Sequence, residues 1–272
     1  MNHADDDRVF AGSIPQLYEQ YMVPLFFEVY ADDLAARIAR RRPSRILEIA
    51  AGTGILTRRL ASILAPDVSI VATDLNQPML DQAAALGAQR PIEWRQADAM
   101  QLPYPDESFD VVACQFGVMF FPDKPKAFSE ARRVLAPGGA FIFNVWDRLD
   151  QNEFAETVTQ AVERLFPEDP PRFLARVPHG YHEPAVIVRD LAAGGFARSP
   201  GFTTMTARSR ADSSHIPAVA LCQGTPFRNE ILARGPSRLG EVTDVAAAAM
   251  ANRFGPDAVD GKIQAHIICI EK

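Results

Sequence analysis

The stretch Ile46-Leu47-Glu48-Ile49-Ala50-Ala51-Gly52-Thr53-Gly54 decides the fold of this chain. It begins as a short apolar strand carrying one acid, Glu48. Two glycines spaced i, i+2 turn the chain sharply, and Ile55-Leu56-Thr57-Arg58-Arg59-Leu60-Ala61 continues as a helix. Glycine has no Cβ, so a strand–turn–helix unit of this kind brings backbone N–H groups close to a ligand. Twenty residues after Gly54, at the end of the next apolar strand, stands Asp74. An acid at that place in a βαβ unit can bind both hydroxyls of a ribose.

Two nucleotide-type ligands suit this arrangement. A dinucleotide site asks for G-x-G-x-x-G, with its third glycine at position 57, where this chain has Thr57. Glu48, just ahead of the turn, suits a ligand with a cationic group, because a carboxylate accepts from an ammonium. S-adenosylmethionine carries an α-amino group, a ribose and an adenine. The segment resembles motif I of the class I S-adenosylmethionine-dependent methyltransferases, with Ala50 in place of that family's first glycine.

The resemblance continues in the family's order over roughly residues 40–147. Asp74-Leu75-Asn76-Gln77-Pro78-Met79-Leu80 is similar to the family's D-x-S-x-x-M-L helix start, and Ala97-Asp98-Ala99-Met100-Gln101-Leu102-Pro103-Tyr104 to its A-D-A-x-x-L-P-F loop. Ser108-Phe109-Asp110-Val111-Val112 reads as the fourth strand, and Arg133-Val134-Leu135-Ala136-Pro137-Gly138-Gly139 resembles the turn before the fifth. The wording is nearest to the ubiquinone/menaquinone-biosynthesis-like group. One such motif is weak evidence; several in order, at sensible βα spacing, are strong.

The expected fold is α/β, because strands at 45–50, 68–74, 91–96, 109–115 and 139–147 alternate with helices. The resemblance implies a Rossmann-like, seven-stranded, mostly parallel sheet with helices on both faces and an antiparallel last strand, which residues 262–271 supply. The chain is expected to be a single domain, 1–272. It divides into an N-terminal lid segment (1–30), a cofactor-binding core (31–147) and the rest of the sheet with substrate-cap insertions (148–272). Residues 1–14 read as loosely packed. Residues 15–30 read as two short helical pieces interrupted by Pro24. The proline-rich segment 167–184 cannot be one regular element, and residues 214–254 read as helices broken at Pro217, Pro226 and Gly235-Pro236.

Bulk properties fit a sizeable folded enzyme: 272 residues, 47% hydrophobic and 23% charged. A net charge of −6 disfavours a nucleic-acid partner. The cluster Arg40-Arg41-Arg42 with Arg45 reads as the close of a helix opened by Asp32-Asp33. Cys114, Cys222 and Cys269 have neither metal-ligand spacing nor an even count, which points to a reducing, cytoplasmic setting and to no metal. No apolar h-region follows Asp5-Asp6-Asp7, and no run approaches the ~18 apolar residues of a membrane span.

Methyl transfer from a sulfonium needs positioning above all, so the cofactor site should read more clearly than the catalytic one. The resemblance implies that Glu48 binds near the methionine amino group and that Ala50, Gly52 and Gly54 leave room for the methionine tail and ribose. Asp74 would take the ribose hydroxyls, Leu75 would pack on adenine, Asp98 would accept from its exocyclic amine and Ala99 would offer an N–H. Gln115, at the carboxyl end of the fourth strand, sits where ligands bind in such sheets. Phe116, Met119 and Phe120 could face cofactor or substrate, or simply be core. His179 and His182 could act as general bases, yet His182-Glu183-Pro184 also reads as a helix entry. Tyr18 and Tyr21 lie on the aromatic N-terminal segment, read either as a lid or as a staple onto the core. The acceptor is expected to be small and partly apolar, and the product S-adenosylhomocysteine. A non-catalytic or regulatory cofactor-binding protein, and less readily an NAD-type dehydrogenase, are the alternatives.

Overall fold

The computed structural model describes residues 7–272. Its strands are β1 (Arg45–Ile49), β2 (Ser69–Asp74), β3 (Glu93–Gln96), β4 (Phe109–Gln115), β5 (Leu135–Trp146), β6 (Gly201–Ala211) and β7 (Val259–Glu271). They form one sheet in the order β3-β2-β1-β4-β5-β7-β6. The ladders β1/β2, β2/β3, β1/β4 and β4/β5 are parallel, and β5/β7 is antiparallel. Side-chain pairs Thr204–His266, Thr206–Gln264 and Arg208–Asp260 run in opposite senses, so β6 is antiparallel to β7. The chain leaves β1 toward β2 and β3, then returns to lay β4 on the other side of β1. That reversal opens a crevice beyond the carboxyl ends of β1 and β4.

The inner strands are apolar because both faces are covered. On one face Ile46, Ile70, Val111, Ile142 and Ile267 pack with Leu34 and Ile38 of the helix Glu28–Arg40 and with Leu56 and Leu60 of Ile55–Ile63. On the other, Phe141 and Phe143 stack with each other, Phe128 and Phe196. β5 starts four residues earlier than expected. Leu135 pairs with Phe109, the register then shifts, and Ala140 pairs with Val111. The loop Ala136–Gly139 is thus a bulge in one long strand, turned by Gly138 at φ 77°.

The chain forms two compact units. One comprises residues 28–146, 181–205 and 265–272, and holds most of the sheet. Of the described residues, the other comprises 7–27, 147–180 and 206–264. In the second unit, Tyr18–Phe27 is a continuous π-helix that passes through Pro24, not two interrupted pieces. A proline lacks an N–H and clashes with the carbonyl a turn behind it, and the wider winding opens the helix at that point. Phe26 meets Phe154 edge-on, Phe154 meets Phe254, and Met22 lies beside Gly224. The break expected at Pro217 is absent. Pro217 sits in the first turn of His215–Gln223, where its missing N–H costs nothing, and the helix ends at Gly224. Of the stretch expected to be loose, residues 1–6 lie outside the described residues. Asp7 is buried, taking Arg176 Nη2 at 2.8 Å, and the same guanidinium reaches Glu230 at 2.7 Å.

Gly54 is the N-cap of Ile55–Ile63 at φ 82°, a left-handed conformation that glycine adopts freely. A Cβ there would lie 2.7 Å from Trp94 Cη2 and 3.2 Å from Ala83 Cβ. Gly54 therefore serves the packing of helix against sheet. Gly54→Ala is expected to cost about 1–3 kcal/mol from overpacking plus left-handed strain. Trp94→Leu in that background should recover the steric part only. Urea unfolding of the single and double variants checks both, and an unchanged midpoint for Gly54→Ala would contradict the packing role.

Candidate functional site

The turn after β1 is held by its own acceptors. Ala51 N–H donates to Thr73 O at 2.9 Å, Gly54 N–H to Ala51 O at 2.9 Å, and Gly52 N–H to Asp74 Oδ2 at 2.8 Å. These are donors that the strand–turn–helix pattern suggested would face a ligand. The reason is geometric: β1 and β2 are in register from Arg45↔Ser69 to Ile49↔Thr73, so the end of β2 lies beside the turn. Ala50, in the place of the family's glycine, has φ 53°. That left-handed state costs an alanine about 1–2 kcal/mol.

Glu48 and Asp74 are both buried. Glu48 Oε2 accepts from Thr57 Oγ1 at 2.5 Å. Burial pushes its pKa up to about 8, against the lowering effects of that hydrogen bond and of the Arg58 charge. Burial likewise raises Asp74, opposed by the N–H groups of Asn76 and Gly52 that its two oxygens accept. Two carboxyls with raised pKa values at one turn suit a ligand that brings hydrogen-bond donors and positive charge.

The other expected cofactor residues gather around this pair. Asp74 pairs with Gln96 across β2/β3, and Ala97 N–H donates to Asp74 O at 3.0 Å, which carries the loop Asp98–Gln101 to the end of β2. Asp98 Oδ1 caps its own turn, accepting from Met100 N–H at 2.9 Å, and Ala99 is buried. Leu75 is one of the few large apolar side chains left exposed, at 38%. Gln115 ends β4 in register with Asn144 of β5.

Phe116 has φ 51°, stacks on Trp146 at 3.9 Å between centroids and meets Tyr30 edge-on at 5.2 Å. It is thus a packed core ring. Met119 is buried, while Phe120 is half-buried. His179 is buried with Nδ1 2.9 Å from Asp147 O. His182 Nε2 lies 3.0 Å from Glu183 Oε1. Tyr18 stacks on Phe27 at 5.0 Å. Tyr18, Tyr21 and His179 belong to the second unit, whereas His182 and all the cofactor candidates belong to the first. Among the described residues no group of three or more His, Cys, Asp or Glu could hold a metal ion.

Several residues escaped the sequence reading. Thr57, noticed only as a missing glycine, holds Glu48. Gly117 must lack a Cβ, which would lie 2.6 Å from Ala50 Cβ. Asn144 is fully buried, and its Oδ1 takes Phe116 N–H at 2.8 Å, fixing that left-handed residue. Among the described residues the buried Asn144 Nδ2 and Thr53 Oγ1 find no hydrogen-bond partner. Buried polar atoms of this kind are costly unless a ligand or water meets them. A buried asparagine inside an apolar strand was the one signal available.

Residues 47–143 match the family model described as a methyltransferase domain. Over 138 residues the chain is 42% identical to a ubiquinone/menaquinone biosynthesis C-methyltransferase of Ectopseudomonas mendocina, covering 49% of each chain. It is 42% identical over 110 residues to a demethylmenaquinone methyltransferase of Deinococcus radiodurans, covering 40% of this chain and 45% of that protein. The chain thus spans about half the length of the curated relatives it matches. In fold it is similar to a phosphoethanolamine N-methyltransferase of Haemonchus contortus, at TM-score 0.60 and 17% identity over 99% of this chain and 60% of that one. It is also similar to an S-adenosylmethionine-dependent methyltransferase of Thermotoga maritima, at TM-score 0.54 and 16% identity over 100% of both chains. The match over residues 47–143 and these relatives support a class I S-adenosylmethionine-dependent methyltransferase domain in that segment.

Proposed function

We propose that the chain transfers a methyl group from S-adenosylmethionine to a small, partly apolar acceptor. The observation that carries this is the pairing of two buried carboxyls, Glu48 and Asp74, with a turn whose N–H groups at Ala51, Gly52 and Gly54 are already spent. A pyrophosphate needs free donors at that turn and no acid such as Glu48 just ahead of it. An ammonium and a pair of ribose hydroxyls need acceptors, and these are what the site offers. The same observation speaks against an NAD-type dehydrogenase.

In this reading Asp74 accepts from the ribose hydroxyls while remaining anchored by Gly52 and Asn76. Glu48 faces the amino group. Leu75 gives an apolar surface to the adenine, and the loop at Asp98-Ala99 reads its edge. Once bound, the cofactor supplies the methyl group and its own sulfonium leaving group. The protein's share is orientation and exclusion of water. Phe120 and Gln115, at the end of β4, would border the acceptor, whose partly apolar nature suits the aromatic neighbourhood of Phe116 and Trp146. Among the described residues no helix is long and apolar enough to cross a membrane. The three free cysteines suit a reducing cytoplasm. Labelled S-adenosylmethionine incubated with fractionated metabolites would name the acceptor, and a bound but never consumed label would mean a binding protein without transfer.

Ligand choice can be checked by thermal shift. S-adenosylmethionine and S-adenosylhomocysteine should raise the melting temperature, and NAD and NADP should not, because only a ligand of the native state stabilises it. A rise with NAD alone would reverse the assignment.

Asp74→Ala should weaken S-adenosylhomocysteine binding by about 1–3 kcal/mol, the scale of lost hydrogen bonds to a charged group. Calorimetry reads this directly, and unchanged affinity would leave Asp74 as a structural tie between Gly52 and Asn76.

The raised pKa of Glu48 has a signed consequence. Between its ordinary value of 4.5 and about 8 the folded protein holds a proton that the unfolded chain has lost. The Glu48 contribution to stability therefore falls as pH rises through that window. Urea unfolding of the ligand-free protein at pH 5.5 and 7.5 should show this slope, and Glu48→Gln should reduce it. Equal slopes in the two proteins would place the titration elsewhere.

A further inference from the structure

Thr57 stands where a dinucleotide fold has its third glycine, in the first turn of the helix Ile55–Ile63. It is fully buried. A helical threonine commonly turns its hydroxyl back to the carbonyl four residues earlier. Here that carbonyl, Thr53 O, takes Arg58 Nη1 at 2.6 Å, and the Thr57 hydroxyl points across to Glu48 Oε2 at 2.5 Å. We infer that Thr57 is a positioning residue for the amino-acid end of the cofactor, holding the Glu48 carboxyl ready for the ammonium.

The inference rests on the cofactor reading above. Its chemistry follows from what a hydroxyl can do that a methyl cannot. Glu48 is packed in the interior beside Arg58 and Asp74, the two charges that act on it. Without a ligand's ammonium it is held as the neutral acid at neutral pH, and its O–H can donate to Thr57. When an ammonium arrives, the carboxyl gives up its proton to solvent and must accept. The Thr57 hydroxyl then donates. A hydroxyl is both donor and acceptor, so one side chain holds Glu48 through both protonation states without moving. Valine has the same shape and does neither. A glycine at position 57 would leave the acid to find another partner, which explains why the dinucleotide spacing is broken at this position.

Two probes separate positioning from mere packing. S-adenosylhomocysteine carries the amino-acid group; 5′-methylthioadenosine keeps the adenine, ribose and thioether but lacks it. Calorimetry at pH 7 should find Thr57→Val weakened about 10-fold or more for S-adenosylhomocysteine and within about twofold of the parent for 5′-methylthioadenosine, the former being the scale of one hydrogen bond to a charged group. Thr57→Ser should restore S-adenosylhomocysteine binding to within about threefold. In a Glu48→Gln background Thr57→Val should add little to the selective loss, since the two residues act as a unit. Should Thr57→Val fail to fold, Thr57→Ala is read in the same contrast. Equal losses for both probes, or no loss for either, would overturn the inference. If the parent protein binds neither probe, the cofactor reading falls first and takes this inference with it.

Discussion

The contact on which the candidate site depends is the one between the end of β2 and the turn after β1, where Asp74 accepts Gly52 N–H. It fixes the path of the turn. It also spends a donor that would otherwise be available to an anion. Together with Ala51 to Thr73 and Gly54 to Ala51, it converts a glycine turn from an anion cradle into a rigid rim lined by acids. The βαβ topology makes this possible, because parallel pairing of neighbouring strands sets the carboxyl end of one beside the exit of the other.

A second set of contacts braces that rim from the far side of the switch point. Asn144 on β5 holds Phe116, Phe116 enters Gly117, and Gly117 abuts Ala50. Two non-glycine residues, Ala50 and Phe116, sit at positive φ within this brace. Strain at such positions persists only where neighbours over-determine it. The stacked rings of Phe116 and Trp146 and the hydrogen bond from Asn144 supply that determination. The strained residues thus meet at the crevice where ligands bind in sheets of this topology.

Much of this was legible in the sequence, and what was legible was local. Strand–turn–helix spacing around Gly52 and Gly54, Asp74 at a strand end and the loop at Asp98 are patterns within short windows, and each element stands close to its expected bounds. Apart from Thr57, nine residues from Glu48, what escaped has a partner far along the chain. Asn144 is 28 residues from Phe116, and Gly117 faces Ala50 across two strands. The early start of β5 depends on pairing with Phe109, and helix propensity alone does not foretell a π-helix that carries Pro24 through without a break. Gly54 was read as room for a ligand, but its missing Cβ makes room for Trp94. Spacing fixes which residues reach the crevice, and packing decides which way each one faces.

In the proposed reading a proton-transfer group is needed only by an acceptor that is not already nucleophilic. His179 Nδ1 lies beside the Asp147 carbonyl and His182 Nε2 beside the Glu183 carboxyl, His182 within the unit that holds the cofactor candidates. A donor that carries its own leaving group asks the protein for selection and aim. Selection is built into the charges. A phosphate-bearing nucleotide would bring only further acceptors to Glu48 and Asp74, whereas an aminoacyl nucleoside would bring them an ammonium and hydroxyl donors. The Arg58 guanidinium donates to Thr53 O, and its charge acts on Glu48 as well. In the proposed reading the ligand's ammonium joins the Arg58 charge at Glu48 while its ribose hydroxyls meet Asp74, which would fix the sulfur between the two ends.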